Sequence, residues 1–128
     1  KLSMSANGAL VMNYFNDGKS LPNIPSTLFN LSLDYKPFKN GLFFVHWRRV
    51  GTMYIDRENT EEGIIDPFSL WDMGLKYRWQ GLEVMAKVNN VFDKLYSTYG
   101  YGYNWDGYQA YYWPGATRNT FINISYQF

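Results

Sequence analysis

The densest set of side chains suited to holding a ligand lies between Tyr96 and Trp113, where Tyr99, Tyr101, Tyr103, Trp105, Tyr108, Tyr111 and Tyr112 stand beside small glycines. Phenol and indole rings offer stiff apolar faces with one polar tip, a combination suited to gripping a chelate, a sugar or a porphyrin. Trp113 closes this run, and Arg118 just beyond it could meet an anionic ligand or equally cap a strand against phosphate groups. The rings could also pack on one another or sit at a membrane interface. Other chemistry is sparse. His46 is the single histidine, there is no cysteine, and no serine lies in a Gly-x-Ser-x-Gly setting, so no nucleophile and base can be paired and no enzyme is expected. His46 reads as an inward-facing contact opposite Asn30. The carboxylates of Asp56, Glu58, Glu61, Glu62 and Asp66 could offer oxygen ligands to calcium, but their spacing matches no calcium loop and Arg57 sits among them. They read as a solvated loop, and neither a metal nor a cofactor is expected. The glycines of "YGYGYNWDG" lack the strand-to-helix unit of a dinucleotide site, and the sequons at Asn30 and Asn123 fall mid-strand, where glycosylation is not expected.

The elements that must position these residues show as period-two alternation, which recurs about six times with no sustained helical stripe. "STLFNLSLDYK" sets Phe29, Leu31, Leu33 and Tyr35 against Asn30, Ser32 and Asp34, while "FSLWDMGLKYRW" sets Trp71, Met73, Leu75 and Tyr77 against Asp72, Gly74, Lys76 and Arg78. "LSMSANGALVMNYF", "GLFFVHWRRVGTMYI", "GLEVMAKVNNVF" and "RNTFINISYQF" supply the other four runs. "KPFKNG" and "WQG" are tight connections, whereas "NDGKSLPNIP", "DRENTEEGIIDP" and the long aromatic stretch are open. For the "RWQG" hairpin, placing Arg78 opposite Gly81 pairs Tyr77 with Leu82, Leu75 with Val84, Met73 with Ala86 and Trp71 with Val88. The same register sets Lys76 against Glu83 and Asp72 against Lys87, complementary charges facing a lumen.

Composition narrows the class. Of 128 residues, 20% are aromatic (12 Tyr, 9 Phe and 5 Trp), more rings than a small soluble core can hide. Mean hydropathy is −0.39 and no run has the length of a spanning helix, but a transmembrane strand needs only every second residue apolar. The net charge of +1 gives no argument for nucleic acid. A sequence opening at Lys1, with neither initiator Met nor signal peptide, reads as part of something longer or as a processed chain. Strands of about 11 residues, aromatics at strand ends and connections of alternating length favour a lipid-facing apolar side. The rival is a soluble β-domain binding carbohydrate through the aromatic loop. A small independent barrel would need strands from several copies.

In order and spacing, "NIPSTLFNLSLDYKP", "WRRVGTMYIDRENT", "FSLWDMGLKYRW", "VNNVFDKLYSTYG" and "YYWPGATRNTFINISYQF" resemble the C-terminal end of a TonB-dependent outer-membrane receptor, over nearly all of residues 1–128. The resemblance implies an all-β, antiparallel segment of about six strands from a plugged barrel of about 22. It implies an outer-membrane location in a Gram-negative cell with a periplasmic C-terminus, and import of an iron-siderophore, haem or cobalamin with TonB-derived energy. Implied partners are the remaining barrel and plug, outer-membrane lipid, the barrel-assembly machinery, a small-molecule ligand, and TonB acting through an N-terminal part that these residues do not include. Ile122, Ile124, Tyr126 and Phe128 would form the alternating signal read by the assembly machinery.

Overall fold

The computed structural model describes residues 1–128. In chain order the strands are β1 (Leu2–Leu10), β2 (Thr27–Tyr35), β3 (Gly41–Val50), β4 (Met53–Tyr54), β5 (Ile64–Ile65), β6 (Phe68–Trp79), β7 (Leu82–Asn89), β8 (Ser97–Asn104), β9 (Tyr108–Pro114) and β10 (Asn119–Tyr126). One six-stranded antiparallel sheet runs β1-β2-β3-β6-β7-β10, and two small hairpins, β4-β5 and β8-β9, rise from its connections. The six alternating runs therefore become the six strands of the main sheet. Two expectations need refinement. The run "GLFFVHWRRVGTMYI" divides into β3 and β4 at Gly51-Thr52, although hydrogen bonds from the Gly51 N–H to the Thr27 carbonyl and from the Ser26 N–H to the Thr52 carbonyl carry the pairing with β2 a little further. The stretch after β7, expected as an open loop, contains the β8-β9 hairpin.

The ladders show why the sheet has two chemically different faces. Residues directly opposite share a side, so Met4↔Leu33, Leu33↔Val45, Val45↔Met73, Met73↔Val88 and Val88↔Thr120 trace one row across all six strands. A second row continues Leu2, Tyr35, Phe43, Leu75, Ala86 and Ile122. The opposite face carries Ser5, Ser32, His46 and Asp72 in one row. The apolar side is open: Leu2 and Ile124 are each 68% exposed. A water-soluble sandwich would have buried this side, and an apolar patch spanning six strands is far larger than a soluble monomer ordinarily exposes. Strands of 8 to 12 residues suit a tilted crossing of the bilayer.

The β6-β7 hairpin corrects the expected register. Tyr77 faces Val84, Leu75 faces Ala86 and Arg78 faces Glu83, a displacement of two residues from the alignment argued above. The connection is Gln80-Gly81, with φ of 45° and 84°. Two successive positive φ values form the kind of two-residue turn whose twist matches that of the flanking strands. A shift of two keeps every side chain on its face, so both expected ion pairs still form, as diagonals: Lys76–Glu83 at 2.7 Å and Lys87–Asp72 at 3.4 Å. Glu83 also takes Arg78 at 2.5 Å. His46 lies opposite Ser32 and Asp72, with Asn30 displaced to Arg48.

The buried core is small and lies where the long connections gather. Val50, Phe68 and Leu70, at the upper end of the otherwise polar face, pack with Met53, Ile55 and Ile65. Leu28, Tyr96 and Ala110 close around them. The short connections 36–40 and 80–81 lie at one end of the sheet, and 11–26, 51–67 and 90–118 lie at the other.

Candidate functional site

The β8-β9 hairpin sorts the candidate rings onto two sides. Tyr99 pairs with Trp113 and Tyr101 with Tyr111, so these four share one face with Tyr103 and Gln109. Gly100, Gly102, Tyr108, Ala110 and Tyr112 form the other. A three-residue turn, Trp105 to Gly107, joins the strands and leaves Trp105 92% exposed at the tip.

The glycine-bearing face is the anchored one. A side chain at Gly100 would press its Cβ to 2.6 Å from Ile55 Cγ2, so the hairpin lies flat on the core only because this position has none. Asn23 then pairs with the same residue as a strand would: its Nδ2 donates to the Gly100 carbonyl at 2.9 Å, and its Oδ1 accepts the Gly100 N–H at 3.0 Å. Tyr108 donates its hydroxyl to Asp56 Oδ2 at 2.6 Å, and Tyr112 donates to the Glu62 carbonyl at 2.5 Å. Asp56 also accepts the Thr60 hydroxyl at 2.6 Å. The third long connection joins through Asn59, whose Nδ2 donates to the Ser20 carbonyl while its Oδ1 accepts the Ser20 N–H, and through the Lys19–Glu58 ion pair. Arg57 lies over the Phe15 ring at 4.6 Å. The three long connections thus form one knitted cap.

Ionisation follows from these contacts. Burial alone would raise Asp56, but the hydroxyls of Thr60 and Tyr108 and the backbone N–H groups outweigh it and hold its carboxyl below the ordinary 3.8. Burial, then the Asp56 contact, pushes the Tyr108 phenol up. Burial raises Tyr112 too, with the Asp66 and Asp56 carboxylates adding to it. Tyr103 is raised first by its hydrogen bond with Tyr111 and then by burial. These three phenols are therefore neutral hydrogen-bonding groups at physiological pH.

The other face forms a ring ladder. Tyr101 stacks on Tyr111 at 5.2 Å with planes 11° apart, and Tyr103 stacks on Tyr111 at 5.8 Å and 8°. Trp113 closes the lower end at 5.5 Å from Tyr101 and 5.4 Å from Tyr99. Gln109 Oε1 accepts the hydroxyls of Tyr103 and Tyr111 at 2.9 and 3.1 Å, which fixes the polar tips in a row. The rings do pack on one another, yet each stays at least 42% exposed along the open side. Self-packing here builds a preorganised surface. Arg118 lies apart from the ladder, at the base, where its backbone N–H donates to Asp93 Oδ1 at 2.7 Å.

Residue-type reasoning missed the hub of that base. Asn90 is buried at φ 50°. Its Nδ2 donates to the Lys94 and Ala116 carbonyls at 2.9 and 3.1 Å, and its Oδ1 accepts the Lys94 N–H at 2.9 Å. Its own N–H donates to Asp72 at 3.0 Å, tying the hairpin root to the polar face of the sheet. The available signal was a pair of asparagines at a strand end, because asparagine tolerates left-handed backbone and bonds locally.

Comparison with known proteins agrees with this architecture. A family profile described as "TonB dependent receptor-like, beta-barrel" matches residues 4–91. The ferric yersiniabactin uptake receptor FyuA of Yersinia pestis superposes with a TM-score of 0.82 at 22% identity, over 99% of this chain and 21% of that one. The siderophore receptor PiuA of Acinetobacter baumannii superposes at 0.80 and 18% identity, over 98% and 19%. The ferric-catecholate import receptor Fiu of E. coli K12, in its closed form, gives 0.68 and 25% over 96% and 18%. This chain thus spans about a fifth of the length of these receptors. No protein of curated function matches it. The family consists of transport receptors of the Gram-negative outer membrane. With the profile covering more than half of its residues and the sheet superposing on those barrels, the chain belongs to the TonB-dependent receptor β-barrel family.

Proposed function

We propose that these 128 residues form the C-terminal strands of an outer-membrane receptor that captures a scarce nutrient and imports it with energy delivered through TonB. An iron-siderophore chelate is the favoured ligand class, supported by the names of the three solved relatives; haem and cobalamin are the others. Bilayer hydrocarbon does not tolerate unpaired strand edges, so β1 and β10 pair with the rest of the barrel in the membrane. The plug occupies the polar face, where Asp72, Lys87, Lys76 and Glu83 line the lumen. The long connections face outward from the cell and the short ones the periplasm, which places the end of β10 on the periplasmic side. Ile122, Ile124, Tyr126 and Phe128 offer the assembly machinery alternating, largely exposed apolar side chains.

The ring ladder on the long-loop side carries the ligand-binding reading. Its rings are stacked, partly exposed and held in place from behind, so little side-chain freedom is lost when a ligand arrives. The test is quenching of intrinsic fluorescence in the complete receptor, with ferric trihydroxamate and ferric tris-catecholate as probes. Replacing Tyr101 and Tyr111 together by Ala is expected to weaken binding of the recognised chelate about tenfold or more, a loss of ~1.4 kcal/mol or more. An unchanged affinity would remove the ladder from the ligand site.

A further inference from the structure

The short connection 36–40 divides its side chains between the two faces of the sheet. Phe38 turns to the apolar face, where it meets Tyr77 edge-on with ring centroids 6.0 Å apart. Lys36 and Lys39 instead line a cleft of about 480 Å³ with Leu42, Lys76, Arg78 and Glu83. Register places those last four on the polar face, since Leu42 stands opposite Lys76 and Arg78 opposite Glu83, on the side that carries Asp72.

Glu83 is the cleft's one carboxylate, and both of its oxygens are taken. Lys76 Nζ lies 2.7 Å from its Oε1, and Arg78 Nε and Nη2 donate to its Oε2 at 3.1 and 2.5 Å. That contact holds side by side two cations that would otherwise repel, and it leaves further hydrogens on the Lys76 ammonium and the Arg78 Nη1 group unspent. Lys36 and Lys39 are exposed and have no carboxylate within ion-pair distance. Four cations against one carboxylate leave three positive charges uncompensated around one cleft. Two strand spacings, roughly 10 Å, separate β2 from β6, so these charges surround a space the size of a small molecule. Leu42 is the only apolar side chain in the lining, so burial of apolar surface offers a ligand little here.

Charge of this sign and number, with its donors held apart from one another, complements an anion carrying two or three carboxylates. We propose that Lys36, Lys39, Lys76 and Arg78 form a binding site for a small polycarboxylate at the short-connection mouth of the lumen, with Glu83 as its positioning residue. Lys36 and Lys39 lie beyond the strand ends, so the site opens at that mouth. The proposal rests on the polar face lining the lumen of a membrane barrel, and it is independent of the aromatic ladder at the opposite end. A free polycarboxylate and a metal chelate built from one share this chemistry.

The test uses isothermal titration calorimetry on the complete receptor in mild detergent, with citrate, its neutral trimethyl ester, acetate and ferric citrate as probes. Citrate should bind about tenfold tighter than acetate or more, and the ester should not bind, because several cations act on one trianion. Lys36→Gln with Lys39→Gln, both on an exposed turn, should weaken citrate binding about tenfold or more. Should that variant not assemble, Lys39→Gln alone should weaken it about threefold or more. Ferric citrate bound at least as tightly as citrate would assign the site to a chelate, and the reverse order to the free acid. Equal affinity for citrate and acetate, or an affinity that survives both substitutions, would overturn the proposal. So would a complete receptor that binds none of the probes, by showing that its own chain fills the cleft. A receptor that stays monodisperse without detergent would instead defeat the membrane reading itself.

Discussion

Asp56 is the point at which the ring-bearing hairpin is tied to its neighbour, because one carboxylate receives the hydroxyls of both Tyr108 and Thr60. A hydrogen bond to a charged group contributes roughly 1.5–3 kcal/mol, more than a neutral one. Tyr108→Phe deletes one donor and leaves the ring in place, so local opening of the hairpin should become easier by about that amount. Amide exchange across Gly100–Asn104 in the complete receptor is the readout, and unchanged protection there would show that the contact holds nothing. Acid should act on the same contact. Since the folded Asp56 lies below its ordinary 3.8, the clasp contributes fully above that value and is lost as pH falls through the depressed one. Hairpin protection is therefore expected to be flat from neutrality to about pH 5 and to fall below pH 4. Asp56→Asn should remove that acid step while weakening the hairpin at every pH.

At the scale of elements, the β6-β7 hairpin shows what period-two pattern can and cannot say. Which residues share a face was legible in "FSLWDMGLKYRW" and "GLEVMAKVNNVF", because the alternation of side chains is a property of any extended strand. Register was not, because a shift of two preserves both faces and leaves Lys76 near Glu83 and Asp72 near Lys87. The turn decides it, and Gln80-Gly81 with positive φ at both positions was the overlooked signal. Likewise, Tyr and Gly alternate through β8, yet a strand was not expected there, since its purpose shows only once Ile55 and Asn23 are seen against Gly100. Contacts made across 77 and 52 residues leave no local trace in sequence. The observed pairing modifies a charge-swap experiment. Lys87→Asp should destabilise the barrel by about 0.5–1 kcal/mol for a half-exposed pair, measured by urea-induced unfolding in detergent. Adding Asp72→Lys should recover only part of the loss, because Asp72 Oδ1 also accepts the Asn90 N–H, which a lysine cannot do. Full recovery would show that the Asn90 contact contributes nothing. Gly81→Ala places a Cβ on a residue at φ 84° and 2.4 Å from the Gln127 carbonyl oxygen, so it should cost more than the ~1–2 kcal/mol of the backbone conformation alone and loosen the contact between the turn and the end of the chain.

Across the whole molecule, the net charge of +1 conceals a separation along the strand direction. The three long connections hold eight carboxylates (Asp17, Asp56, Glu58, Glu61, Glu62, Asp66, Asp93 and Asp106) against four cations, Lys19, Arg57, Lys94 and Arg118. The strands, short turns and first residue hold the reverse, eight cations against three carboxylates. The cap is therefore electronegative where a ligand would arrive, and the ladder beside it offers neutral phenols and an amide but no cation. An anionic chelate approaching this part of the receptor meets repulsion that a neutral one does not, over a distance set by a Debye length of roughly 8 Å at physiological salt. Glu61 and Glu62 are exposed with their carboxylates unpaired, so they can be neutralised without disturbing the Asp56 clasp. Changing both to Gln in the complete receptor should raise the association rate of ferric tris-catecholate about two- to threefold at low salt, as expected for removal of nearby like charge. The gain should vanish in high salt, and ferric trihydroxamate should associate at the same rate in both forms. Stopped-flow fluorescence quenching measures every combination of receptor form, chelate and salt. An equal change for both chelates would place these carboxylates in direct contact with the ligand, and no change for either would show that ligands enter over a different part of the rim.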